Sequence, residues 1–326
     1  MPGTVHPRER LEVLCIGGAN VDGDFRLAAA AIAGTSNPAT ARTSFGGVAR
    51  NVAEDLARLG RRTGLVSRVG DDAAGRGLLD HAAGLGIDVR HALVAAGATT
   101  SQYLAIHDPD GELVIGVNAM ALIDGIAASD LAGMPYDETD WVFADTNLSA
   151  GALGEIVGRR RSSGAFRLAI DAVAIPKASR LPAALEGIDL LFANAGEAAA
   201  ILGRAAPSTP EGGAGLARGL LDRGAGAASV SLGRLGAVVA DAGGVWHVGV
   251  APTRLASTSG TGDARIAGTL HALLDGASLE QAAVSGSLAA ALTAESDSAI
   301  DAGLGPTRFA AESARLEAVT VRRIEA

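Results

Sequence analysis

Short apolar runs alternate along this chain with longer segments of helical period. The runs Leu11–Ile16, Thr63–Ser67, Trp141–Ala144, Arg167–Ile170, Leu190–Ala193, Ala228–Leu232 and Ala237–Ala240 are rich in Val, Ile and Leu, with little polar alternation. That pattern predicts strands buried on both faces. Between them, Val48–Leu59, Gly75–Ala83, Ala152–Arg161, Ala195–Leu202 and Gly213–Asp222 repeat apolar positions at helical spacing, as Val48, Val52, Leu56 and Leu59 do. A strand followed by a helix, again and again, predicts a mostly parallel sheet in a three-layer α/β core. Two longer helices are expected late, over Thr261–Asp275 and Leu279–Ala294, the second opened by a Ser278/Gln281 capping box.

Two stretches break this rhythm. Residues 19–43 and 99–117 read as β-hairpins inserted in the first half, the second with a Pro109-Asp110-Gly111 turn. Together they predict a small sheet that projects from the core as a lid over a cleft. With no repeat and no linker in view, residues 1–326 are expected to form one domain carrying that lid.

Composition narrows the functional classes. Lys and Arg number 27 against 36 Asp and Glu, a formal charge of −9, which argues against binding a nucleic acid polymer. The one cysteine, Cys15, excludes an internal disulfide and any multi-cysteine metal site. The six histidines form no close pair with metal-ligand spacing. A polar amino terminus and the lack of a long uncharged apolar stretch lead to the expectation of a soluble, cytoplasmic protein without a membrane partner. Glycine is abundant, at 44 residues, so the places where glycines cluster carry the information.

Three clusters stand where strands meet helices. The last, Ser257-Thr258-Ser259-Gly260-Thr261-Gly262-Asp263, runs into a long helix, whose first-turn N–H groups and dipole suit an oxyanion. Asp263 among those donors is odd if its only task is capping; the alternative is a plain capping turn with Asp263 as a first-turn acid. The turn is not a Walker A loop, having no Lys-Ser/Thr after it, and Arg265 removes the dinucleotide fingerprint. The second cluster is Phe45-Gly46-Gly47-Val48-Ala49-Arg50-Asn51. The first is Gly17-Gly18-Ala19-Asn20-Val21-Asp22 at the carboxyl end of the first strand, the end at which open α/β sheets bind ligands. Asn20 and Asp22 share a face of an extended segment. Their carboxylate and amide groups suit sugar hydroxyls.

These clusters, in this order and with Asn194-Ala195-Gly196-Glu197 between them, resemble the PfkB carbohydrate kinases, a ribokinase-like family, from about Leu11 to Gly305. Within that family the details are most similar to the pseudouridine kinases: Ser36-Asn37-Pro38 ahead of the glycine pair, Asp145-Thr146-Asn147-Leu148, and Asp171-Ala-Val-Ala-Ile-Pro-Lys177. The resemblance implies a ribokinase-like α/β/α core with a β-sheet lid. It also implies ATP and Mg²⁺ as cofactors and phosphorylation of a nucleoside or sugar, pseudouridine at its 5′-hydroxyl. By the same resemblance Asp263 is the base, and the N–H groups of Gly260, Thr261 and Gly262 stabilise the transferring phosphoryl group. Asn20, Asp22, Gly46, Gly47 and Asn51 hold the ribose, while Ser36 and Lys177 face the nucleobase. Ser231, Gly233 and Gly236 lie along ATP. Asn194 and Glu197 organise Mg²⁺ through water, though Asn-x-x-Glu at a strand-to-helix junction is equally a capping box.

Three departures from the family pattern matter. Arg265 stands where an aromatic or apolar residue is usual; two positions after Asp263 it lies about 200° around the helix, facing either packing or the ATP side. Ala119 precedes Met120 where the pseudouridine kinases carry Asp. Ser257-Thr258 replaces the usual Asp-Thr, which puts dependence on a monovalent cation in question. The exposed lid edges lead to the expectation of a homodimer. Two alternatives stay open: another acceptor on the same scaffold, and a ligand-binding homologue with weakened transfer.

Overall fold

The computed structural model describes residues 10–325; the polar amino-terminal stretch and His6 lie outside them. Nine strands form the main sheet, in the order Val321–Arg323, Gly244–Val248, Ala237–Asp241, Ala228–Ser231, Leu190–Asn194, Arg167–Asp171, Thr139–Asp145, Leu11–Ile16 and Thr63–Val66. Pairing is parallel from Thr63–Val66 to Ala228–Ser231 and antiparallel in the last three strands. All seven predicted strands are present. Gly244–Val248 and Val321–Arg323 are additions; the first is broken by Gly244 and His247, and the second is three residues long with two arginines.

Alternation along Leu11–Ile16 shows why three layers form. Leu14 and Ile16 enter one apolar cluster with Leu153 and Ile156 of the helix Ala150–Ser163. Val13 and Cys15 enter another, on the opposite face, with Val52 and Leu56 of the helix Val48–Arg58 and with Ile266 and Leu270 of the helix Thr261–Leu274. Each face of the sheet therefore removes its own apolar surface from water. Cys15 is buried, as a structural thiol. The helices Thr261–Leu274 and Leu279–Ala294 approach closely because a Cβ on Gly268 would stand 2.7 Å from the Ala289 methyl group.

The two hairpin stretches pair with each other. Ala39–Gly46, Asn20–Leu27, Gln102–His107 and Leu113–Ala119 make a separate four-stranded sheet. Its strands run to Gly46 and Ala119, somewhat past the expected ends at 43 and 117, since backbone pairing continues to the glycine pair and to Gln102. Asn20, Asp22, Asp24 and Arg26 share one face with Tyr103, His107, Arg42 and Ser44. The other face carries Phe25, Leu104, Ile106, Ile115 and Val117. Among the described residues no helix is long and apolar enough to cross a membrane.

Candidate active site

The carboxyl ends of the central strands, the amino ends of two helices and the root of the small sheet meet at one place. Gly260 opens the late helix with φ +73°, and a Cβ there would stand 1.8 Å from the Ala299 carbonyl oxygen, so only glycine fits. The N–H groups of Gly260 and Gly262 have no acceptor among the described residues, whereas that of Thr261 reaches the Thr258 carbonyl at 3.4 Å. A Cβ on Gly262 would meet nothing within 4 Å. This turn thus presents free donors to open space, with Asp263 one residue on.

Asp263 receives a hydrogen bond from the Asn51 amide, Nδ2 to Oδ2, at 2.8 Å. Part of its surface stays open to the cleft. Desolvation raises its pKa to about 7, with Asp145 and Asp22 adding to the rise and Asn51 and Arg50 opposing it. A carboxylate poised near neutrality is suited to accept a proton.

Asn51 is held in turn by Arg50, whose Nη1 donates to the Asn51 Oδ1 at 2.9 Å and to the Phe45 carbonyl at 2.7 Å. The acceptor is therefore turned to Arg50 and the donor to Asp263. Arg50 is buried, at 4% exposure, and pairs with Glu54, which also takes Arg58 at 2.7 Å. Burial lowers the Arg50 pKa to about 10, which still leaves a cation behind the acids.

Gly46 and Gly47 serve close approach. A Cβ on Gly46 would fall 2.0 Å from the Asp22 Oδ2; one on Gly47, whose φ is +99°, would fall 2.4 Å from the Gly18 carbonyl oxygen. Asp22 also accepts from the Asn20 amide at 2.5 Å, and burial raises its pKa. Asn20, Asp22, Gly46, Gly47, Asn51 and Asp263 are thus linked by contact or hydrogen bond. Lys177 donates to the Asn147 Oδ1. Ser36 is exposed in the loop between Leu27 and Ala39, which joins the two strands at the end away from the Asn20–Gly46 pair.

Sequence reasoning noted Asp145 only as part of a family motif and gave it no role. Fully buried, it accepts from the N–H groups of Gly18 and Ala49 through Oδ2 and of Asn147 through Oδ1, each at 2.9 Å. One carboxylate thereby ties the first glycine turn, the start of the Val48–Arg58 helix and the segment bearing Asn147. The signal was available: an acid directly after the apolar run Trp141–Ala144, at the edge where Gly17 and Gly18 end the neighbouring strand.

On the far side of the Gly260 turn lies a cavity of about 430 Å³ whose walls include Ser231, Gly233, Gly236, Thr261, Gly262 and Arg265. Val248, Val250 and Leu255 make much of its surface apolar. Arg265 therefore faces this cavity. Next to it, Asn194 and Glu197 form the capping box in full: the Asn194 Oδ1 accepts from the Glu197 N–H at 2.9 Å and the Glu197 Oε2 from the Asn194 N–H at 2.8 Å. The Glu197 Oε1 also takes the Asn194 amide at 2.6 Å.

Architecture and site together define a ribokinase-like kinase: a mostly parallel α/β/α core, a small second sheet at its rim, and a Gly-Thr-Gly-Asp turn between two openings. The profile of the pfkB family carbohydrate kinases matches residues 10–304, and the chain belongs to that family. It is 32% identical to the pseudouridine kinase of Escherichia coli, over 82% of this chain and 86% of that one. Among solved structures it is similar to a carbohydrate kinase from Agrobacterium tumefaciens (26% identity, TM-score 0.82, covering 96% of this chain and all of that one). It is also similar to a ribokinase of Arabidopsis thaliana complexed with ribose and ATP (20% identity, TM-score 0.80, covering 93% and 98%). Membership implies a phosphotransferase with an alcohol group as acceptor and a sugar or nucleoside as substrate.

Proposed function

We propose that this protein is an ATP-dependent kinase that transfers the γ-phosphoryl group to the 5′-hydroxyl of pseudouridine, giving pseudouridine 5′-phosphate. The observation that carries the transfer is the Asn51–Asp263 pair beside free N–H donors at a helix start. Asp263 takes the proton of the 5′-hydroxyl as its oxygen bonds to the γ-phosphorus; the bond to the β-phosphate oxygen breaks and ADP leaves. The N–H groups of Gly260 and Gly262, with the helix dipole, stabilise charge on the transferring group. Thr261 lends its backbone less, being already bonded to Thr258. Asn20, Asp22, Gly46, Gly47 and Asn51 hold the ribose.

The apolar cavity beyond Gly262 takes the adenine end of ATP, with Ser231, Gly233 and Gly236 along it. Among the described residues no three acids, histidines or cysteines gather as a metal site. Each Glu197 oxygen keeps a lone pair beyond its capping bond, so Asn194 and Glu197 fit Mg²⁺ held through water. When bound, the ion neutralises phosphate charge.

The choice of pseudouridine rests on the relative from Escherichia coli and on Lys177, which with Asn147 offers polar groups to a base. In this reading residues 1–326 are one kinase domain. The small sheet is its lid, and closure brings Ser36 from the hairpin tip towards the base. We place the enzyme in the cytoplasm, where ATP is the donor. A second copy covers the apolar outer face of the lid, where Ile115 is 51% and Val117 44% exposed. A monomeric mass in solution would contradict that dimer.

A second reading, a sugar acceptor with an anionic end, is favoured by one observation. Arg26 and Arg42 line, with His107, Asp24 and Asp297, a cavity of about 550 Å³ between the lid and Ser257. ADP release measured with pseudouridine, uridine, adenosine, ribose, fructose and fructose 1-phosphate decides between them. Preferred turnover of pseudouridine supports the first reading; turnover of a sugar or sugar phosphate without response to pseudouridine rejects it.

A further inference from the structure

Arg265, on the helix that Gly260 opens, has no part in the reaction described above. Its Nη1 donates to the Ser229 hydroxyl at 3.3 Å, and among the described residues no carboxylate lies within ion-pair distance of its guanidinium. Its stem runs past Gly286, where a Cβ would press on the Arg265 Cγ at 3.2 Å. Arg265 lines the same cavity as Ser231, Gly233, Thr261 and Gly262. Two acids, Asp171 and Glu197, act on it electrostatically from beyond contact, and burial lowers its pKa only to about 10, so it stays charged. Asp171 is itself enclosed, its Oδ2 taking only the Val173 N–H at 3.2 Å. A guanidinium with most of its five donors unengaged, in the wall of a cavity that Gly262 with its unbonded N–H also lines, is built to meet an anion.

We infer that Arg265 is a nucleotide-binding residue that grips the polyphosphate of ATP from the side opposite Asp263. The inference rests on the assignment of this cavity to ATP and adds to it a fixed cation, on the chain itself, where the family places an uncharged side chain. An acidic protein thereby gains local charge for an anionic co-substrate.

Calorimetric titrations with ATP and with adenosine test it without reference to the acceptor. Arg265→Met is expected to weaken ATP by about tenfold or more, the worth of a charge-assisted contact, while adenosine, which has no phosphate, binds as to the parent. Arg265→Lys is expected to recover part of the loss. Because Arg265→Met leaves two buried acids without their cation, the double variant Arg265→Met/Asp171→Asn is measured beside it and is expected to show the same selective loss. Unchanged ATP binding, or an equal loss for ATP and adenosine, overturns the inference while the cavity keeps its nucleotide. A parent protein that binds neither compound removes the assignment of the cavity, and the inference with it.

Discussion

The Asn51 amide donates to the Asp263 carboxylate across 2.8 Å, joining the first turns of two helices that are 212 residues apart in sequence. Arg50 fixes which way the amide points, because its Nη1 occupies the Asn51 Oδ1. The base is thus oriented by a helix from the other end of the chain, and that helix by a buried cation.

Asn51→Leu should therefore move the pH profile rather than abolish activity. The amide favours the charged carboxylate; without it the Asp263 pKa rises above about 7. A hydrogen bond to a charged group is worth about 1.5–3 kcal/mol, or about one to two pH units. The rising limb of kcat against pH is expected to shift upward by roughly that amount, with turnover recovering in alkaline buffer. A limb that stays in place would show that the bond does not tune the base.

For Asp263→Asn the expected loss of turnover is about 10²–10⁴-fold, the usual contribution of a positioned base, with acceptor binding retained. Stability should behave oppositely. The folded pKa of about 7 lies above the unfolded carboxylate value, so stability falls as pH rises between the two and stays lowered above them. Thermal unfolding at about pH 8 is expected to find the variant at least as stable as the parent; a clear drop in its midpoint would contradict the costly buried charge.

Two glycines of the same turn should part company. Gly260→Ala meets both a positive φ and the Ala299 carbonyl oxygen, and should cost about 2 kcal/mol or more in urea unfolding. Gly262→Ala points into open space and should leave stability within about 0.5 kcal/mol. Its effect is expected in turnover, through its crowding of the phosphoryl group. Equal losses of stability would undo the assignment of structural and chemical roles.

Asp145 offers a graded test. Asp145→Ala leaves the N–H groups of Gly18, Ala49 and Asn147 without their acceptor, at about 1–3 kcal/mol for each buried donor. Asp145→Asn keeps one oxygen for the Gly18 and Ala49 pair. Chemical denaturation is expected to rank parent, Asn and Ala in falling stability, and an Ala variant as stable as the parent would sink the proposed clamp.

The core strands, the helices between them and the glycine turns were legible because each is a local event. An unbroken apolar run such as Leu190–Ala193 states that both faces are covered, and a capping box such as Asn194/Glu197 closes within four residues. The family motifs are short stretches of the same kind. What was not legible depends on distant partners. Asp145 and Arg50 stood inside motifs without a role of their own, and Arg265 had two possible directions.

Sequence by itself determined the layered α/β class, the inserted hairpins and the turns able to hold an anion, since hydrophobic period and glycine placement act over a few residues. Only the tertiary structure decided which donor meets Asp263, which side Arg265 faces, and how far the hairpin tip carries Ser36 from Asn20. Those outcomes follow from packing between elements scores or hundreds of residues apart. Burial, which raises the pKa of Asp263 into the working range, exists only once that packing is complete.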